Sequence, residues 1–150
     1  MPKYHGTFRD EKVDACPAFP EGTTTKRAIV AVRIGPEDNA SPELEGMIDT
    51  GADYTFLPLE FLLCMGINAE DLKTCPVRTP LGWENAPFAW VDIFVANFEM
   101  QRVYVGFTNG LNGSLVAILG RGGVLERFKV LFDYPNNSFE LEESPHARLN

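Results

Sequence analysis

The residues best suited to chemistry are Met47-Ile48-Asp49-Thr50-Gly51-Ala52-Asp53-Tyr54-Thr55-Phe56-Leu57-Pro58. An apolar approach runs into a short acidic turn, and an alternating apolar stretch leaves it. Gly51 has no Cβ, so the backbone can bend sharply there and lie close to another chain. Asp49 is therefore expected at the end of a strand, projected from a tight loop beside the Thr50 hydroxyl. A carboxylate held in that way can serve as general base or general acid. A second element, Ala117-Ile118-Leu119-Gly120-Arg121, follows about seventy residues later as an apolar run closing on Gly-Arg. Other chemistries are poorly served. Gly120-Arg121-Gly122-Gly123 lacks the Lys-Ser/Thr of a phosphate-cradling loop. His5 and His146 stand near the termini without companion ligands, so neither a metal site nor a cofactor is expected.

Positioning these residues falls to short, β-rich elements. Residues 28–34 are a β-branched run and read as a buried strand. Residues 35–42 have loop chemistry, and 44–48 form the strand that delivers Asp49. Pro58 suits the first position of a short helix over 58–65, stopped by Gly66; a helical turn is expected over 68–71. Residues 77–81 and 88–95 flank Gly82-Trp83-Glu84-Asn85 as a hairpin with a glycine-bearing tip. Strands follow at 101–108 and 115–119, with a short helix over 123–128. Residues 130–134 and 138–141 pair around Pro135-Asn136-Asn137. The expected fold is all-β, with one or two short helices. Residues 1–26, with Pro2, Pro17, Pro20 and Gly22, read as an irregular arm; 27–141 is the domain proper and 142–150 a loose polar tail.

The acidic turn resembles the active-site loop of the retroviral-type, or retropepsin-like, aspartic proteases, whose signature is Asp-Thr-Gly-Ala after apolar residues. Ala117 to Arg121 looks like the apolar-apolar-Gly-Arg element of the same family. The resemblance covers roughly residues 27–141. It implies a closed β-barrel and an aspartic endopeptidase. Asp49 is then the catalytic carboxylate, and Thr50 hydrogen-bonds across a dimer. Gly51 offers its backbone to a bound peptide. Ala52 lacks the hydroxyl with which a serine could donate to the carboxylate. Asp53 and Arg121 match positions that pair to brace the loop, in a partly buried ion pair. Gly82 and Trp83 sit where the family carries a flap; Trp83 and Trp90 read equally as core aromatics. Peptide hydrolysis of this kind requires two adjoining carboxylates, which cannot both ionise easily and so share a proton. Only one such turn occurs in the chain, so the resemblance implies a homodimer with one Asp from each subunit. The rival expectation is the same fold kept as a dimerisation or peptide-binding module with little or no proteolysis.

Composition narrows the partners. At 150 residues the chain is long enough for one domain with a real core. A net charge of −8 disfavours nucleic acid and anionic membranes as partners; a peptide or protein substrate is what the resemblance implies. Cys16, Cys64 and Cys75 are odd in number and have no Cys-x-x-Cys spacing, which points to reduced thiols. Residues 1–16 have no apolar leader core, and no run approaches the length of a membrane span. The expected compartment is cytoplasmic.

Overall fold

A computed structural model of the chain describes residues 2–35, 41–79 and 82–145. Apolar alternation defines strand β4 (Ile29–Ile34), which turns Val30, Val32 and Ile34 inwards and exposes Ala31 and Arg33. It pairs antiparallel with β5 (Leu44–Ile48), whose inward residues are Leu44, Gly46 and Ile48. Gly46 is required by packing. A Cβ there would lie 2.4 Å from Val32 Cγ2 and 2.9 Å from Leu119 Cδ1.

Beyond the acidic turn comes β6 (Phe56–Pro58), yet β5 and β6 are not neighbours. Strand β10 (Val116–Leu119) lies between them, parallel to β5 and bridged antiparallel to β6 at Ile118–Phe56. The seven-stranded sheet continues from β6 through β9 (Phe98–Thr108) and β8 (Gly82–Val95) to β7 (Thr74–Thr79). The far end of β8 also pairs with β4, Val32 opposite Val95. That pairing closes six strands into a barrel and removes their free edges. Val32, Leu44, Leu57, Ile93, Val105 and Leu119 fill its interior with no exposed surface. The expected all-β, closed-barrel architecture is found. No helix among the described residues is long and apolar enough to cross a membrane.

The chain departs from expectation at its start. Within residues 1–26, read as irregular, β1 (Lys3–Thr7) pairs with β12 (Ser138–Glu143), which in turn pairs with β11 (Phe128–Asp133). Strands β2 (Arg9–Val13) and β3 (Thr23–Arg27) form a separate hairpin. These strands bury little, so their sequences carry almost no alternation, and the partner of β1 lies at the opposite end of the chain. Phe139 supplies the anchor. It is 1 % exposed, and its ring lies flat on Gly6, where a Cβ would meet Cζ at 2.3 Å. Phe8 is buried beside it, its ring centroid 5.6 Å away. Strand β12 runs two residues past the expected end at Leu141, so the start of the tail is paired; residues 146–150 lie outside the described residues.

Smaller shifts concern the helices. Pro58 closes β6 instead of opening a helix, because its neighbours Phe56 and Leu57 pair with Gly106 and Phe107. Helix α1 (Phe61–Cys64) starts later and is followed by Gly66 at φ +68°, as its stop signal implied. The turn expected over 68–71 is a 3₁₀ turn at Ala69–Asp71, and only Leu125–Arg127 of the helix expected over 123–128 is helical, also 3₁₀.

Truncating Phe139 to Ala should destabilise the protein by about 3–5 kcal/mol, read from the midpoint of urea unfolding. Removing residues 1–8 should also lower that midpoint. An unchanged midpoint on removal would show that β1 adds nothing to the sheet.

Candidate active site

Strand β5 carries the chain to Asp49, and its parallel pairing with β10 ends there: Asp49 N–H donates to the Leu119 carbonyl at 3.0 Å. The turn then closes on itself. Ala52 N–H donates to the Asp49 carbonyl at 3.2 Å, and Gly51 N–H donates to Asp49 Oδ1 at 3.0 Å. The carboxylate is thus oriented by the backbone of its own turn. Asp49 is half-buried, while Thr50 and Gly51 are exposed.

Beneath the turn, the Gly-Arg element runs alongside the acidic loop. Arg121 N–H donates to the Ala52 carbonyl at 3.0 Å, and Gly122 N–H to the Asp53 carbonyl at 2.8 Å. Gly120 admits no side chain, since a Cβ would lie 2.0 Å from the Tyr54 carbonyl oxygen. Thr55 completes the contact. Fully buried, its hydroxyl donates to the Gly122 carbonyl at 2.9 Å and accepts from Gly120 N–H at 3.2 Å. Sequence reasoning did not single out Thr55. The available signal was a lone hydroxyl within the apolar stretch from Tyr54 to Leu57, because a buried hydroxyl requires a partner.

Asp53 and Arg121 form the expected ion pair, and Arg121 Nε also donates to the Ala52 carbonyl at 3.4 Å. The expected burial is not found. In the single chain the two side chains are 73 % and 61 % exposed. Water screens such a pair, and it contributes little by itself. The bracing of the loop comes instead from the backbone bonds of residues 120–122 and from Thr55.

The hairpin also differs from its sequence reading. Strands β7 and β8 pair continuously from Thr74–Pro87 to Thr79–Gly82. Gly82 therefore opens β8 at φ +117°, and Trp83, Glu84 and Asn85 belong to the strand, not to a tip. The turn itself, residues 80–81, lies outside the described residues. Trp83 is opposite Arg78 and 73 % exposed, and Trp90 is 58 % exposed; neither is a core aromatic. Val77, Ala86 and Phe88 bury a small apolar cluster on Phe56 and Cys75, which roots the hairpin on the strand leaving the acidic turn.

Asp49 and Thr50 open onto a cleft also bounded by Phe8, Arg27, Ile48 and Tyr134. Among the described residues, Asp49 is the single carboxylate lining it. No protein-family model matches the chain, and no curated protein matches its sequence. Among solved structures, it is similar to a retropepsin-like aspartic protease from Rickettsia conorii. The TM-score is 0.60 over 94 % of this chain and 99 % of that one, at 18 % identity. The fold is retropepsin-like. At 18 % identity the similarity is one of architecture.

The two braces should separate on mutation. Thr55→Val strands the buried Gly120 N–H, removes the partner of the part-buried Gly122 carbonyl, and should cost about 2–4 kcal/mol. Arg121→Ala should cost the single chain under about 1 kcal/mol. Urea unfolding of both variants checks the ranking, and equal losses would place the brace at the ion pair.

Proposed function

We propose that the chain is one half of an aspartic endopeptidase, active as a homodimer in which each subunit supplies one Asp49. The observation that carries this reading is Asp49, oriented by its own turn and, among the described residues, the single carboxylate lining a cleft. A two-fold axis beside the exposed Thr50 would bring the second carboxylate to the first. The retropepsin-like fold supports this arrangement.

In the proposed mechanism, the two Asp49 carboxyls hold one proton and a water between them. The ionised member takes a proton from the water as its oxygen attacks the peptide carbonyl carbon. The protonated member gives its proton to the carbonyl oxygen, which yields a neutral tetrahedral diol. On collapse the carboxyl that took the water proton gives it to the leaving nitrogen, the other carboxylate takes a hydroxyl proton from the diol, and the C–N bond breaks, which restores the singly protonated pair. No cofactor is required by this sequence of steps. The substrate would lie extended, pairing strand-like with the protein backbone. The β7–β8 hairpin would close over it from its root on Phe56, with Gly82 and Trp83 near its tip. We place the enzyme in the cytoplasm.

Cleavage of a diverse peptide mixture between about pH 4 and 7 should be abolished by Asp49→Asn, which cannot cycle the proton. Sedimentation should show the wild type as a dimer under the assay conditions. A folded dimer that cleaves nothing would sink the protease reading, and equal cleavage by Asp49→Asn would remove Asp49 from the mechanism. Gly82→Val forces a β-branched residue into a left-handed conformation and should slow turnover by roughly ten- to a hundredfold without loss of fold. Unchanged kinetics would place the closing element elsewhere.

A further inference from the structure

The segment between Phe8 and Ala28 leaves the barrel and returns to it without burying a residue. Phe8 and Ala28 are each 5 % exposed, whereas no residue of 9–27 is buried. The segment is nevertheless regular. Strands β2 and β3 pair from Arg9–Arg27 at the root to Val13–Thr23. Beyond them Cys16 and Phe19 exchange two backbone hydrogen bonds of 3.0 Å, and Gly22 N–H donates to the Phe19 carbonyl at 2.9 Å, which closes the tip. Two polar contacts fasten the root to the barrel, Arg9 to Glu45 at 2.8 Å and Lys26 Nζ to Asn137 Oδ1 at 2.7 Å. At about 3.4 Å per residue, the paired length carries the tip roughly 17 Å from that root. A two-stranded hairpin is marginal in water unless a further surface packs on it.

The two faces of this arm differ. Asp10, Lys12, Thr24 and Lys26 share one face, which is charged, and Asp10 pairs with Lys26 across it at 3.0 Å. Glu11, Val13, Thr23 and Thr25 share the other with Arg9 and Arg27. On that face the charges are spent on one another and on the barrel: Glu11 meets Arg27, and Arg9 meets Glu45. What is left is a strip of β-branched side chains, Thr25, Thr23 and Val13, the kind that packs well against a facing surface. Val13 is 37 % exposed and Phe19, at the tip, 48 %; Cys16, Pro17, Ala18 and Pro20 around it are exposed as well. The exposed apolar residues of the arm therefore gather at the end farthest from its root. The root itself is a wall of the active-site cleft, because Thr25, Lys26 and Arg27 line it together with Asp49 and Thr50.

On the footing of the homodimer proposed above, we infer that the β2–β3 hairpin is a clasp for the second copy of the chain. Its β-branched strip lies along the partner, with Thr25 at the end nearest the two-fold axis and Val13 and Phe19 seated on the partner at the far end. The cleft supplies the occupant. A partner whose Asp49 joins the first must stand over the cleft that Thr25 and Arg27 help to wall, and so against the root of the arm. From there the strip continues outwards, with no buried contact on its own barrel. Area points the same way. A stable dimer buries roughly 800 Å² on each partner, more than a cleft of about 380 Å³ offers by itself. The two-fold axis repeats the clasp, so each copy grips the other and the contact closes on itself.

Arg9 and Arg27 face each other, so residues 10–26 can be replaced by Asn-Gly, a two-residue turn that antiparallel strands accept, with β1 and the barrel kept. Sedimentation equilibrium should show the dimer dissociation constant raised about a hundredfold or more by this excision. Circular dichroism should show the β-sheet content of the barrel retained. The double substitution Val13→Asp with Phe19→Asp changes side chains that are exposed in the single chain, and should weaken the dimer at least about tenfold by placing charge in an apolar contact. It decides the matter should the excised chain fail to fold. In the wild type, hydrogen exchange at the amides of 9–27 should slow as protein concentration rises through the dissociation constant. A dimer of unchanged affinity in these variants, or arm amides that exchange alike in monomer and dimer, overturns the clasp and leaves the protease reading intact. A wild-type dimer that cleaves no peptide, yet dissociates when the arm is altered, supports the clasp and removes the protease reading. A raised KM for peptides in a variant whose dimer is unweakened assigns the strip to substrate and overturns the clasp as well.

Discussion

The contact on which the site depends is backbone against backbone: the acidic turn from Ala52 to Tyr54 lies directly on residues 120–122. Arg121 and Gly122 donate to the turn's carbonyls, and the absence of a side chain at Gly120 is what allows the approach. Because β10 is inserted between β5 and β6, this contact joins parts of the chain that are far apart in sequence. It fixes the height and direction of Asp49 without using the Asp49 side chain. Among the described residues the carboxylate accepts one hydrogen bond, from its own turn, and it lines the cleft.

Thr55 shows why the arrangement is rigid. A hydroxyl can donate and accept at once, so a single buried side chain satisfies both the part-buried Gly122 carbonyl and the buried Gly120 N–H, which would otherwise be stranded. The exposed pair of Asp53 and Arg121 lies outside this dry interior and meets water on both sides. Buried neutral bonds therefore hold the turn, and the charges decorate it. The same division appears in the barrel, where Thr55 is the single buried polar side chain among the described residues.

The two faces of β8 differ. Its inward residues, Ala89, Val91 and Ile93, pack the core, whereas the rings of Phe88 and Trp90 meet Tyr104 on the other face. Period-two alternation permits this, and an aromatic-rich strand does not itself announce which face is wet. Trp90 reads as a core residue by type, yet the barrel closes on the other side of its strand. The β-bulge that β9 carries at Arg102 is equally silent in sequence, because it arises from a mismatch in residue count between two strands and not from a glycine.

Local chemistry was legible where neighbouring residues suffice to define it. The acidic turn, the strand that delivers Asp49, the Gly-Arg element, the alternation of β4 and the stop at Gly66 all follow from residues within a few positions of one another. So does the all-β class, because alternation is a property of each strand alone. The tertiary structure decided what depends on partners distant in the chain. It inserted β10 between β5 and β6 and gave the N-terminal strand its place beside Phe139. It turned Pro58 into a strand end, and it left Asp53, Arg121 and Trp90 in water. The physical reason is that a residue's conformation is biased by its neighbours in sequence, whereas its burial and its strand partner are set by whichever surfaces meet when the sheet closes.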